Sequence, residues 1–177
     1  MKKFILISVS TVLLILIVFR VVIINQKYPD VIEQSYTTRE KVPYKTFELT
    51  VLDYYLLDKE TLNTLFNEEI RVLGEYQCMI VDLHIKNIDA KEQVLNVYTF
   101  ILETGAAKNG INLNAFYALN GEKATLSPQI SANETIVLKL PFHFTEKNFT
   151  KSKWIEFSQR DFSLVLNLYP KKLIINL

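Results

Sequence analysis

The chain has one cysteine, two histidines, four glycines and one tryptophan in 177 residues. A lone thiol cannot close an intrachain disulfide, so a domain built from this chain depends on its core. Cys78, in the run Gln77-Cys78-Met79-Ile80-Val81, reads as a small apolar residue packed in a strand. Four glycines leave no phosphate-cradling loop, and Ser127, Ser131 and Ser163 lack the G-x-S-x-G setting of a hydrolase nucleophile. Charge of one sign is missing too. Lysine plus arginine number 20 against 19 aspartate plus glutamate, so no bulk field draws nucleic acid.

Histidine is too scarce for a metal site. His84 shares a strand face with Asp82, within reach of a weak carboxylate–imidazole pair, but Cys78 lies on that face about 20 Å along the strand and cannot join them. His143 reads as a surface histidine on an edge strand. No catalytic residue, cofactor site or metal site is expected, and the chain reads as no enzyme.

One long apolar run is present. Phe4 to Ile24 reads FILISVSTVLLILIVFRVVII directly after Met1-Lys2-Lys3, and as a helix it spans about 30 Å, the thickness of a bilayer's hydrocarbon core. A cleaved signal peptide is the rival reading, since such peptides also begin with lysines and an apolar stretch. Against it, Val21-Val22-Ile23-Ile24 extends the run past Arg20, and no small-residue cleavage site follows. Arg20 lies about one turn from the outer end, where its guanidinium can snorkel to the headgroups. No cysteine stands just after the run to accept a lipid, the single one being Cys78. The expectation is a single-pass anchor over 4–24, a cytoplasmic tail over 1–3 and a domain outside the cell membrane.

Residues 25–43, polar and bracketed by Pro29 and Pro43, read as a partly extended stalk, and 44–177 as one extracellular domain. Period-two alternation predicts strands from Thr46 to about Leu57, Tyr76 to Asn87, Asn96 to Thr104, Thr135 to Phe144, Phe162 to Leu168 and Leu173 to Leu177. Pro141 demotes its strand to an edge or a bulge. A short helix behind an Asp58 N-cap would bury Leu62, Leu65, Phe66 and Ile70. Ile111 to Leu119 gives no clear pattern, and the segment with Trp154 reads as a loop. Several strands with one polar face each predict an all-β fold, an immunoglobulin-like antiparallel β-sandwich with short helices.

A family pattern runs through VDLHIKNID (81–89), LETGAAKNGI (102–111), the LSP, ANET and LPF series between Leu126 and Phe142, and LVLNLYPKK (164–172). With the anchor and the YPD stretch, these segments resemble a family of small membrane-anchored proteins of Gram-positive bacteria, a domain of unknown function. That family is similar in turn to telokin-like, immunoglobulin-like extracellular domains of bacterial lipoproteins. The resemblance implies a β-sandwich outside the cell and carries no residue roles, because the family has no assigned catalytic set.

Two segments are candidates for an interaction surface. Gly105 to Gly121 reads as a long irregular loop carrying Asn112, Asn114, Phe116 and Tyr117, of which Phe116 and Tyr117 could instead cap the core. The run from Glu146 to Trp154 interleaves Lys147, Lys151 and Lys153 with aromatics, either as a basic aromatic patch or as a solvated loop pinned by Trp154. The functional expectation is a non-enzymatic binding module at the cell surface, with a protein or cell-envelope partner besides the membrane. The alternative is an immunity or accessory protein for a secreted toxin or a membrane complex. Oligomeric state is not legible.

Overall fold

The computed structural model describes residues 2–27, 31–58, 60–61, 64 and 75–177. Contacts divide the chain into two compact units, Met1–Ile32 and Glu33–Leu177. In the first, helix α1 runs Lys2–Lys27. Its segment Ser10–Lys27 is long and apolar enough to cross a membrane, and none of it is buried.

The second unit is a sandwich of two sheets. Strands β1 (Ile32–Thr37), β2 (Val42–Tyr44), β3 (Phe47–Leu56), β4 (Tyr76–Asn87), β5 (Gln93–Val94) and β6 (Ile101–Thr104) are followed by β7 (Ala107–Gly110). Helix α2 (Leu113–Asn120), β8 (Gln129–Ile130), β9 (Thr135–Thr145), helix α3 (Lys151–Ile155), β10 (Ser163–Asn167) and β11 (Lys171–Asn176) complete it. One sheet has the order β1-β11-β10-β6-β7 and the other β2-β3-β4-β9, with a small β5-β8 pair beside them.

Alternation decides which side chains enter the core. Met79, Val81, Leu83 and Ile85 of β4 meet Leu138, Leu140, Phe142 and Phe144 of β9 and Leu102, Leu164 and Ile175 of the facing sheet in one cluster. Each such residue, at 8% exposure or less, contributes about 1.5–3 kcal/mol of burial. The β3 ladder carries a bulge between Val51 and Asp53, which moves Asp53 and Tyr55 onto the outer face.

Asn87 ends β4 as a fully buried polar side chain. Its Nδ2 donates to the carbonyls of Lys91, Ile130 and Ser131 at 2.8–3.1 Å, and its Oδ1 accepts from the Asp89 N–H at 2.9 Å. One amide thus ties the end of the central strand to the loop before β9.

Five expectations change. The stalk over 25–43 gives way to the end of α1, then β1 and β2, because Val42 and Tyr44 alternate into the core. The strand from Asn96 shortens to β6, since the Asn96 side chain accepts from the Tyr98 N–H and caps a 3-10 turn at Val97–Thr99. The patternless stretch is α2, whose ends are set by Asn112, accepting from the Ala115 N–H, and by Gly121 at φ 89°. The Trp154 loop is two 3-10 turns flanking α3. Val165, which alternates with Leu164 and Leu166 and so falls on what the one-polar-face pattern makes the wet side, is 1% exposed. The helix expected over Leu62, Leu65, Phe66 and Ile70 lies outside the described residues; at its start the Asp58 carboxylate accepts from the Thr61 N–H at 2.8 Å.

Candidate interaction surface

Helix α2 lies against the border of β9. The Asn120 side chain mimics a strand there: its Nδ2 donates to the Lys139 carbonyl at 2.8 Å and its Oδ1 accepts from the Lys139 N–H at 2.9 Å. These bonds show that the N–H and C=O of Lys139 face outward, and alternation then turns Pro141 outward as well. Proline has no N–H to leave unpaired, and its carbonyl accepts from the Asn112 N–H at 2.8 Å. The His143 carbonyl accepts from Asn109 Nδ2. Pro141 therefore marks an edge strand, as expected, and the edge is covered from Lys139 to His143.

This covering decides what the predicted surface residues do. Phe116 is fully buried in the main core, so it belongs to no surface and takes the core-capping role instead. Asn112 is half-buried, with its side-chain oxygen used as the helix cap. Asn114 and Tyr117 remain exposed. Ala115 is buried in a second cluster with Leu57, Cys78 and Ile80 on the outer face of the four-stranded sheet, so Cys78 is packed, as expected, beneath α2.

Lys147, Lys151 and Lys153 are all exposed. The aromatics between them turn the other way. Phe149, Trp154, Phe157, Phe144 and Phe162 form an inward cluster with ring centroids 5.2–6.2 Å apart. Trp154 Nε1 donates to Glu75 Oε2 at 3.2 Å, and the Arg160 guanidinium lies 5.4 Å from the Phe149 ring centre while donating to Thr104. The interleaving separates into a lysine-bearing outside and an aromatic inside, and no mixed basic aromatic patch forms.

On the outer sheet face two titratable pairs face each other across the β4–β9 ladder, Asp82 with Lys139 and Cys78 with His143. Asp82 directs both carboxylate oxygens at Lys139 across the β4–β9 ladder, at 2.9 and 3.1 Å, rather than at His84. That hydrogen bond raises the Lys139 pKa, and Tyr55, 3.2 Å away, adds to it. Burial pushes the Cys78 thiol up to about 12 and lowers the pKa of its register partner His143, a combination that holds both neutral at pH 7 and gives no thiolate. His143 is half-buried beside the Tyr76 ring, 5.0 Å between centroids, and so departs from the surface position expected of it. Among the described residues no group of three His, Cys, Asp or Glu side chains could hold a metal ion.

Sequence reasoning gave no role to Asn87 or Asn109 and placed Asn120 only in the irregular 105–121 loop, yet these three amides fix borders and strand ends. The Lys86-Asn87 pair at the end of the strand in VDLHIKNID pointed toward one of them.

A family described as a domain of unknown function, DUF5028, matches residues 29–173. The chain belongs to this family. An uncharacterized β-sandwich protein from Clostridium difficile 630 is similar in structure at 14% identity and TM-score 0.50, covering 84% of this chain and 96% of its own. This likeness shows the fold, a β-sandwich. A conserved hypothetical protein from Bacillus anthracis aligns at 15% identity and TM-score 0.49 over 77% of this chain and 94% of that one. A functionally unknown protein from Listeria monocytogenes EGD-e aligns at 13% identity and TM-score 0.45, over 73% and 72%. No curated protein matches the chain.

Proposed function

We propose that this member of the DUF5028 family is a membrane-anchored, extracellular binding module without catalytic activity, its sandwich of the immunoglobulin-like kind. The observation that carries the reading is an unburied apolar helix long enough to cross a bilayer, followed in the chain by a separate compact sandwich. Lys2 and Lys3, immediately before the apolar run, support a cytoplasmic side there, with the sandwich following the helix on the other side. Non-enzymatic action is supported by the neutral Cys78–His143 pair and by the engagement of Asp82 with Lys139. Exposed Asn114, Tyr117, Lys147, Lys151 and Lys153 are the surface residues offered to a protein or envelope partner.

The test places a thiol at the exposed Ser35 in β1 of the full chain with Cys78 replaced by alanine. Intact cells are treated with a membrane-impermeant maleimide. Labelling of intact cells is the expected result, and labelling only after lysis overturns the extracellular assignment. A turnover by the purified full chain that is lost in Asp82→Asn or His84→Ala would overturn the non-enzymatic half of the reading.

A further inference from the structure

The β10–β11 hairpin ends in two exposed apolar side chains, Leu168 at 48% and Tyr169 at 66% exposure. The turn is held in one shape. Asn167 Nδ2 donates to the Tyr169 carbonyl at 2.8 Å and to the Lys171 carbonyl at 3.3 Å, which ties the loop backbone to the end of β10. β6 starts at Ile101 opposite Val165, two residues before Asn167, and the Val97–Thr99 turn leads into β6 from that end of the sheet, with Tyr98 65% exposed. Lys171, also exposed, follows directly. Two tyrosines, a leucine and a lysine at one end of a sheet combine apolar bodies with polar tips, the chemistry that suits a headgroup layer.

Chain connectivity selects the occupant. Helix α1 ends at Lys27, and Glu33, six residues on, pairs with Lys172 at 3.3 Å, immediately beyond the hairpin tip. Six residues reach at most about 20 Å even when fully extended. A tether that short keeps the hairpin end within reach of whatever surface α1 enters.

We propose that the Leu168-Tyr169 tip, with Tyr98 and Lys171 beside it, seats in the headgroup–acyl boundary of the bilayer that α1 crosses. This rests on the membrane-anchor reading above. Asn167 is the positioning residue: it holds the turn so that the two side chains are presented together.

The test uses the full chain with Cys78→Ala in vesicles of phosphatidylcholine and phosphatidylglycerol. A single environment-sensitive fluorophore is placed on Tyr169→Cys, on Leu14→Cys, or on Ile155→Cys, which lies on the segment leading into the opposite end of β10. Nitroxide lipids carry the quencher either near the headgroup or deep in the acyl chains. The expected result is shallow quenching of the 169 label several-fold above that of the 155 label, deep quenching of the 14 label, and at least a twofold drop at 169 when Leu168→Ser is added. A 169 label no more quenched than the 155 label, with the 14 label still deeply quenched, overturns the tip and leaves the anchor standing. A 14 label that deep nitroxides do not reach overturns both. A 169 label shielded only after another protein is added assigns the tip to that protein and overturns the bilayer as occupant.

Discussion

Lys139 is the register partner of Asp82, and its ammonium lies 2.9 and 3.1 Å from the two carboxylate oxygens. On the other side Asp82 faces Asp53 across the β3–β4 ladder, so the lysine is the counter-charge in a row that otherwise sets two carboxylates side by side.

The side chains of this pair are 38% and 20% exposed, and solvent screening limits the worth of such a pair to about 1 kcal/mol or less. The folded-state pKa of Lys139 lies above its ordinary 10.5. Its contribution is therefore full below 10.5 and lost as pH rises through the higher folded value. Asp82→Asn should lower stability by less than about 1 kcal/mol at pH 7, and the gap to the parent should close in strongly alkaline buffer. Urea titrations at a series of pH values check this; a gap that widens with pH contradicts it.

Glu103 makes the complementary prediction. Burial alone would raise its pKa, but the ammoniums of Lys108 at 2.6 Å and Lys172 at 3.1 Å outweigh burial and hold it below 4.5. A depressed carboxylate stabilises above its unfolded pKa and loses that contribution as pH falls through the folded value. Glu103→Gln should destabilise the sandwich at pH 7 and match the parent in acid. Thermal melts between neutral and strongly acid pH distinguish this from a pH-independent packing defect.

Asn87→Leu should be far more damaging. The substitution leaves the carbonyls of Lys91, Ile130 and Ser131 without their shared donor, at roughly 1–3 kcal/mol for each one that water cannot reach. A drop of about 3 kcal/mol or more in unfolding free energy is expected from chemical denaturation. A loss under 1 kcal/mol would mean that water replaces the amide.

Asn120→Ala uncovers the Lys139 N–H and carbonyl on the β9 border. The expected cost is about 1–2 kcal/mol, with faster hydrogen exchange at the Lys139 amide and concentration-dependent light scattering as exposed borders pair. Unchanged exchange at Lys139 would show that the helix backbone alone shields it.

The Cys78 thiol, with no exposure and a pKa pushed up to about 12, should resist maleimide at pH 7 in the folded chain and react on denaturation. Labelling of the native chain at the rate of a free thiol would contradict its burial.

The long strands were legible because their periodicity is strict: Tyr76–Asn87 was read to the residue, and Thr135 to Phe144 was one residue short. Short elements were not. A helix of eight residues with Ala115 and Phe116 facing different clusters carries too little periodicity to announce itself. Its two end signals, Asn112 and Gly121, were present in the sequence but lay among other asparagines and glycines that suggest a loop. Alternation fixes which face a residue takes, not what covers that face, which is why Cys78 and Ile80 were aligned with Asp82 and His84 yet are dry. The lysines of the 146–154 segment were read as exposed, while their aromatic neighbours needed the facing Phe144, Phe157 and Phe162 to reveal their direction.

The prolines and asparagines at the sheet borders have a consequence for how the sandwich could be extended. β2 is three residues long with Pro43 at its middle, β9 is sealed by Pro141 and its covering amides, and the chain leaving β7 bridges to β9 through Ile111 and Phe142. Among the described borders, β1 is the one with length to spare: six residues, five of them exposed, hydrogen-bonded to β11 alone. Among the described borders, a ligand that joined this protein by adding a strand would find that length at β1, on one sheet.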